Sequence, residues 1–266
     1  MQLPNKTNPI GIFDSGIGGT SIWKEIHLLL PHENTIYLSD SKNAPYGQKT
    51  KEEIIRLSIK NTEFLLAREC KIIVVACNTA TTNAIDYLRA NYKVPFIGIE
   101  PAIKPASLQT NTNTIGILAT KGTLNSKLFA KTSSSINNNI TIIEQVGEGL
   151  VELIEKGKIN SKEMVSLLNK YIVPMLNANI DCLVLGCTHY PYLIPQIKKV
   201  IDGKSIHIID SGRAVASQVK NILEINQLLS NNTSSPTLSF FTNKDKDVLS
   251  YFIKQYSNTI IKEVYF

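Results

Sequence analysis

The chain has 266 residues, of which 43% are hydrophobic and 19% charged, and its formal net charge is +6. This composition is typical of a globular protein and lacks the bias of collagen-like, disordered or coiled-coil chains. The longest apolar runs are too short to cross a bilayer, and no long apolar signal region follows the first lysine. We therefore expect a cytoplasmic protein with no membrane partner.

The positive charge is dispersed along the chain and gives no sign of a nucleic-acid surface. There is no zinc-finger spacing, no RNA-recognition signature and no basic-aromatic platform. We therefore expect no direct nucleic-acid partner. The four cysteines of a cytoplasmic chain are expected to stay reduced.

Short apolar runs bounded by Gly, Asn or Asp predict the first four strands, at 10–13, 35–38, 72–76 and 96–99. Between the second and third runs, residues 51–70 carry apolar side chains near the helical period. Strands that alternate with helices are typical of α/β proteins with parallel, doubly wound sheets.

The same pattern starts again in the middle of the chain. IGILATKGT at 115–123 echoes IGIFDSGIGGT at 10–20, an offset of 105 positions (115 − 10). VVACNTAT at 74–81 and VLGCTHYP at 184–191 repeat at a similar offset of 110 (187 − 77). We infer an internal duplication that gives two similar lobes related by pseudo-two-fold symmetry, with an active site in the cleft between them.

The proline-containing, polar segment 100–114 is expected to cross between the lobes. We therefore assign residues 1–98 with 211–266 to the first lobe and residues 99–210 to the second. A further strand is expected at 237–241.

Three polar motifs follow predicted strands, at 14–16, 77–79 and 187–189. In open parallel sheets, ligands bind beyond the carboxyl ends of the strands. If the lobes face each other, Cys77 and Cys187 approach a ligand from opposite sides. Two such thiols could remove a proton from one face of a carbon and return one to the other face.

These motifs also allow other interpretations. Cysteine is often a small core residue, and we expect this role for Cys70 and Cys182. A metal site built from Cys182, Cys187 and His189 lacks a matching second ligand pair. The glycines of 14–21 do not fit a phosphate loop and are expected to allow a tight turn from strand to helix.

Five segments taken together resemble the glutamate racemase family. They are GIFDSGIGG at 11–19, SDSKNAPYGQKT at 39–50, ACNTATT at 76–82, EPAIKPA at 100–106 and GCTHYPYL at 186–193. The resemblance implies interconversion of L- and D-glutamate without cofactor or metal, and a supply of D-glutamate for peptidoglycan. It also implies a possible homodimer.

By this resemblance, Cys77 and Cys187 are the two acid/base catalysts, the first acting on D-glutamate and the second on L-glutamate. Asp14 and His189 match assisting residues, and Glu155 is the expected assisting glutamate, with Glu152 as the alternative. The implied substrate contacts are Asp14, Ser15, Tyr46, Gly47, Asn78, Thr79, Thr188 and His189. Thr120 is added to this set only because it matches Ser15 in the internal repeat.

Two other functions stay open on the sequence. Aspartate racemases share the two-lobed plan and the paired cysteines, so selectivity for side-chain length would separate them from glutamate racemases. A binding module that has lost turnover is the non-enzymatic alternative, and the presence of both thiols argues against it.

Overall fold

The computed structural model describes residues 5–137 and 139–266 of the chain. In this part of the chain the strands are β1 (Ile10–Asp14), β2 (Thr35–Ser39), β3 (Ile72–Val75), β4 (Phe96–Gly98), β5 (Thr114–Ala119), β6 (Thr141–Val146), β7 (Cys182–Gly186), β8 (His207–Ile209), β9 (Leu238–Thr242) and β10 (Thr259–Glu263).

The helices alternate with these strands. They are α1 (Thr20–Leu29), α2 (Lys51–Leu66), α3 (Asn78–Asn91), α4 (Ile103–Gln109), α5 (Lys121–Leu124), α6 (Lys127–Ser134), α7 (Leu150–Glu155), α8 (Lys162–Asn177), α9 (Ile194–Ile201), α10 (Gly212–Ile225) and α11 (Lys246–Ile253). Short 3-10 turns cover Ser41–Asn43, Tyr46–Gln48 and Tyr190–Leu193. None of the helices in these ranges has both the length and the apolar character needed to cross a bilayer.

The strands form two sheets, and all the neighbouring strands are parallel. The first sheet has the order β10-β9-β2-β1-β3-β4, and the second has the order β6-β5-β7-β8. The arrangement β2-β1-β3-β4 therefore recurs as β6-β5-β7-β8, which confirms two similar lobes. The strands of the first sheet lie within 10–98 and 238–263, and those of the second lie within 114–209. The lobe boundaries at 98/99 and 210/211 stay a prediction.

Both faces of the central strands β1 and β3 of the first sheet are buried, as a doubly wound sheet requires. In β1, Ile12 packs into one apolar cluster with Trp23 of α1 and Val219 of α10. The next residue, Phe13, points to the other face and packs with Leu57 of α2. Strands of this kind need apolar side chains at successive positions, which is why they read as continuous apolar runs in the sequence.

The structure differs from the sequence interpretation in two places. Helix α2 ends at Leu66 and not at residue 70, because the chain turns there and Glu69 adopts a left-handed backbone with φ 59°. The segment 100–114 contains helix α4, whose buried Ile103 and Ala106 pack against Ile115 of the second sheet. Its two prolines did not prevent a helix, because Pro101 precedes the helix and the other proline lies in its first turn.

Candidate active site

The carboxyl ends of four strands carry the polar motifs, and they meet between the two sheets. In the first lobe, Asp14 ends β1 and Cys77 follows β3. At the equivalent positions of the second lobe, Thr120 follows β5 and Cys187 follows β7. The duplication therefore places one thiol in each lobe at the same point of the topology.

The four motifs surround one cavity of about 260 Å³. This volume includes space that is open to solvent. The cavity is lined by Ser15, Pro45, Tyr46, Gly47, Cys77, Asn78, Thr79, Thr120, Val151, Cys187, Thr188 and His189. Every substrate contact inferred from the sequence lies in this lining except Asp14, which lies behind it.

Cys77 is a buried thiol at the start of α3. Its Sγ is 3.4 Å from the backbone nitrogen of Ala80, whose N–H it accepts, and 3.5 Å from the Ser15 hydroxyl. Burial raises the pKa of the Cys77 thiol, and the nearby carboxylate of Asp14 raises it further. The structure therefore favours a protonated sulfur at this position, which is the state of a proton donor.

Cys187 lies at the end of a chain of three polar side chains. Its Sγ is 3.8 Å from Nδ1 of His189, and Nε2 of the same ring is 2.7 Å from Oε1 of Glu155. Burial alone lowers the pKa of His189, but the hydrogen bonds and charges of Cys187 and Glu155 raise it well above its ordinary value. An imidazolium at this distance would stabilise negative charge on the Cys187 sulfur. The two thiols therefore have different surroundings, a hydroxyl at Cys77 and an imidazole at Cys187.

Glu155 connects the lobes through hydrogen bonds on both of its oxygens. Oε1 accepts the backbone N–H of Ile17 at 2.6 Å, and Oε2 accepts the hydroxyl of Ser41 at 2.8 Å. Burial raises the pKa of Glu155, but His189 and these donors outweigh that effect and lower it. Glu152, one turn earlier, accepts the side chain of Gln48 in an exposed hydrogen bond. The geometry therefore favours Glu155 over Glu152 as the partner of His189.

Asp14 lies behind the cavity wall and is fully buried. Its Oδ2 accepts the backbone N–H of Gly19 at 2.7 Å, and the Thr188 hydroxyl is 3.5 Å from both oxygens. Burial raises the pKa of Asp14 from 3.8 to about 6, against the opposing effect of His189. A carboxyl with this pKa changes its charge in the range where enzymes commonly use general acids and bases.

The glycines of the segment 14–21 serve close packing and not an unusual backbone. Gly18 has no positive φ, yet a Cβ at this position would overlap the ring of His189. The turn after β1 therefore passes directly against the imidazole of the other lobe. These glycines therefore permit the short turn from β1 to α1 by leaving room for neighbouring side chains, and not through a left-handed backbone.

A group of uncharged polar side chains lines the side of the cavity at α3 and α5. Asn78 is buried, and neither polar atom of its amide has a hydrogen-bond partner. The hydroxyls of Thr79 and Thr120 are 2.8 Å apart, and that of the buried Thr123 is 3.3 Å and 3.0 Å from them. Hydroxyls, a free amide and the N-terminus of α3 together suit a carboxylate. Lysine and arginine do not occur in the cavity lining given above.

The metal interpretation finds no support in the geometry. Cys182 begins β7 and packs with Ile115 and Val184, whereas Cys187 follows the other end of that strand. Within residues 5–137 and 139–266, no three His, Cys, Asp or Glu side chains are grouped as metal ligands. All four cysteines are free.

Several residues of the site were not identified from the sequence. Pro45 and Val151 line the cavity, Ser41 bonds Glu155, and Asp40 accepts the hydroxyl of Tyr46 at 2.5 Å. Asp40 and Ser41 stand directly after β2, so their position at a strand end was the available signal. Val151 offers no comparable signal, because an apolar residue in a helix is normally a core residue.

The family of the chain follows from comparison with known proteins. Residues 19–219 match the model of the Asp/Glu/hydantoin racemase family. The chain belongs to this family and is a racemase, an isomerase.

Its relatives narrow the class further. The chain is 43% identical to the glutamate racemase of Herpetosiphon aurantiacus over 240 residues, which are 90% of this chain and 94% of that protein. Among solved structures, glutamate racemase isoform RacE1 from Bacillus anthracis superposes with a TM-score of 0.87 at 29% identity, covering 98% of both chains. The glutamate racemase of Francisella tularensis in complex with D-glutamate gives a TM-score of 0.84 at 30% identity, again over 98% of both chains.

Proposed function

We propose that the protein interconverts L-glutamate and D-glutamate with two cysteines as the acid/base pair. One observation carries the proposal: Cys77 from the first lobe and Cys187 from the second line the same small cavity. Racemisation requires a base on one face of the α-carbon and an acid on the other, and strand ends of two facing lobes meet that requirement.

In the proposed mechanism, each cysteine transfers one proton, on opposite faces of the α-carbon. In the direction from L to D, the Cys187 thiolate takes the α-proton of L-glutamate, and the electron pair of that bond stays on the substrate. The S–H bond of Cys77 then breaks, and its proton forms the new bond on the opposite face. Cys187 ends as a thiol and Cys77 as a thiolate, and the reverse direction exchanges these roles.

The surroundings of each sulfur suit these parts. His189, held by Glu155, stabilises negative charge beside Cys187. Asp14 assists on the side of Cys77, whose burial favours the protonated thiol that the second step consumes. Exclusion of water by the bound substrate would strengthen these interactions and protect the carbanionic intermediate from stray protons.

Binding of glutamate rests on neutral donors at both ends of the cavity. We assign the substrate carboxylates to the free amide of Asn78, the hydroxyls of Ser15, Thr79 and Thr120, and the backbone around Gly47 and Thr188. The names of the relatives, and the D-glutamate bound in one of them, support glutamate as the substrate. We further propose that the enzyme acts in the cytoplasm, without a cofactor, and supplies D-glutamate for peptidoglycan.

The test is incubation of the purified protein with L-glutamate, and separately with L-aspartate, in deuterated water without added cofactor. We expect inversion of glutamate, measured by circular dichroism, together with α-deuteration, measured by NMR. Inversion should be lost in both Cys77→Ala and Cys187→Ala. Inversion of aspartate alone would replace glutamate as the proposed substrate. Absence of exchange with either amino acid would refute the proposal that the protein racemises glutamate or aspartate. Inversion that survives in either variant would refute the two-thiol mechanism.

A further inference from the structure

Asn243, directly after β9, is a buried residue that the proposed mechanism leaves unused. It lies beyond residue 219, where the match to the family model ends. Strand β9 pairs with β2 so that Thr242 stands beside Ser39. The following residues, Asn243 and Asp40, therefore meet at the carboxyl edge of the first sheet, where the cavity is.

Both polar atoms of the Asn243 amide bond the segment after β2. Its Oδ1 accepts the backbone N–H of Lys42 at 2.9 Å, and its Nδ2 donates to Oδ1 of Asp40 at 2.5 Å. Burial raises the pKa of Asp40, and the donors of Tyr46 and Asn243 act against that rise. Asn243 is therefore one of three donors that stabilise the charged form of Asp40, together with Tyr46 and with Asn43, whose Nδ2 lies 2.7 Å from the same Oδ1.

Asp40 in turn fixes one wall of the cavity. Its Oδ2 accepts the hydroxyl of Tyr46 at 2.5 Å, and that hydroxyl also accepts the amide of Asn61 at 3.1 Å. The buried Tyr46 lines the cavity together with Gly47. The hydrogen bonds thus run without a break from Asn243 through Asp40 to the substrate pocket.

We propose that Asn243 is a positioning residue for substrate binding, acting through Asp40 on the wall formed by Tyr46 and Gly47. The inference rests on the proposed function only for its kinetic test, since the position of the wall can also be followed without substrate. It places the C-terminal strand β9 among the elements that shape the active site.

The sharpest variant is Asn243→Asp, which keeps an acceptor for Lys42 N–H but replaces the donor to Asp40 by an oxygen. We expect the KM for L-glutamate to rise about tenfold with little change in kcat, because a hydrogen bond to a charged group is lost and the thiols are untouched.

Asn34 offers a matched control at the amino ends of the same two strands. Its Oδ1 accepts the N–H of Thr237 at 2.8 Å, and its Nδ2 donates to the carbonyl of Thr7 at 3.0 Å. Asn34→Asp therefore makes the same chemical change far from the cavity, and we expect an unchanged KM.

Two further measurements separate positioning from general loosening of the fold. In a Tyr46→Phe background, Asn243→Asp should add little to the KM, because the hydroxyl that transmits its effect is gone. Without substrate, methyl methanethiosulfonate should modify Cys77 and Cys187 severalfold faster in Asn243→Asp, as read by peptide mass spectrometry. Asn243→Ala serves if Asn243→Asp does not fold.

Unchanged KM and labelling in the Asn243 variants would overturn the inference, as would an equal effect of Asn34→Asp or full additivity with Tyr46→Phe. If the wild-type protein does not racemise glutamate, the proposed function fails. The labelling rates then decide the positioning role by themselves.

Discussion

Asp14→Asn is expected to make the protein more stable at neutral pH while it weakens catalysis. Asp14 is fully buried, and its pKa is raised from 3.8 to about 6 because burial disfavours the charged form. Since one pKa unit corresponds to about 1.4 kcal/mol, the ionised carboxylate costs the folded state about 3 kcal/mol. The amide avoids this cost and keeps an oxygen to accept the N–H of Gly19.

The sign of the effect fixes its pH dependence. The raised pKa means that the folded state holds the Asp14 proton more tightly, so the stability that this group contributes falls as pH rises from 3.8 to about 6. At pH 7 the full penalty is present, and at pH 5 about half of it remains. We therefore expect the stability gain of Asp14→Asn to be larger at pH 7 than at pH 5 by about 1.3 kcal/mol.

Urea unfolding of both proteins at pH 5 and pH 7 measures this difference, and any pH-independent effect of the substitution cancels in the comparison. Asp86→Asn, at an exposed position of α3, controls for the removal of a surface charge. An equal stability change at the two pH values would refute the assignment of a raised pKa to Asp14. Racemase activity of Asp14→Asn should fall, because the charge beside Cys77 is lost.

Three other substitutions test separate parts of the site. Glu155→Gln removes a group that raises the pKa of His189, so the basic limb of the pH profile of kcat for L-glutamate should move to lower pH. The control variant Glu152→Gln should leave this pH profile unchanged. Thr123→Val removes a buried hydroxyl that bonds two hydroxyls of the cavity, and should raise KM about tenfold. Thr123→Ser keeps the hydroxyl and should have a KM near that of the wild type. Equal KM values in the two variants would contradict this prediction. Gly18→Ala places a methyl group against the ring of His189 and should lower kcat more than tenfold. Steady-state kinetics measure this change, and a wild-type kcat would contradict the prediction.

The sequence by itself determined the strands that carry the polar motifs, the duplication and the equivalence of the two thiols. Buried parallel strands need successive apolar residues, so β1 and β3 are legible as runs, and polar residues that end such runs mark the ligand edge. Cys77 and Cys187 could be recognised as equivalent positions because the motifs of the first lobe recur in the second at a nearly constant offset. The strand order of the second sheet repeats the β2-β1-β3-β4 part of the first sheet, as a duplication requires.

The tertiary structure alone decided which side chains meet across the lobes. Glu155 and Glu152 are both acidic residues of one helix, and only packing sets the first against His189 and the second against Gln48. Asn243 stands 203 positions from Asp40, and its role depends on the register of β9 beside β2. Such contacts cannot be predicted from the local sequence, because burial and hydrogen-bond partners depend on elements that come together only when the chain folds.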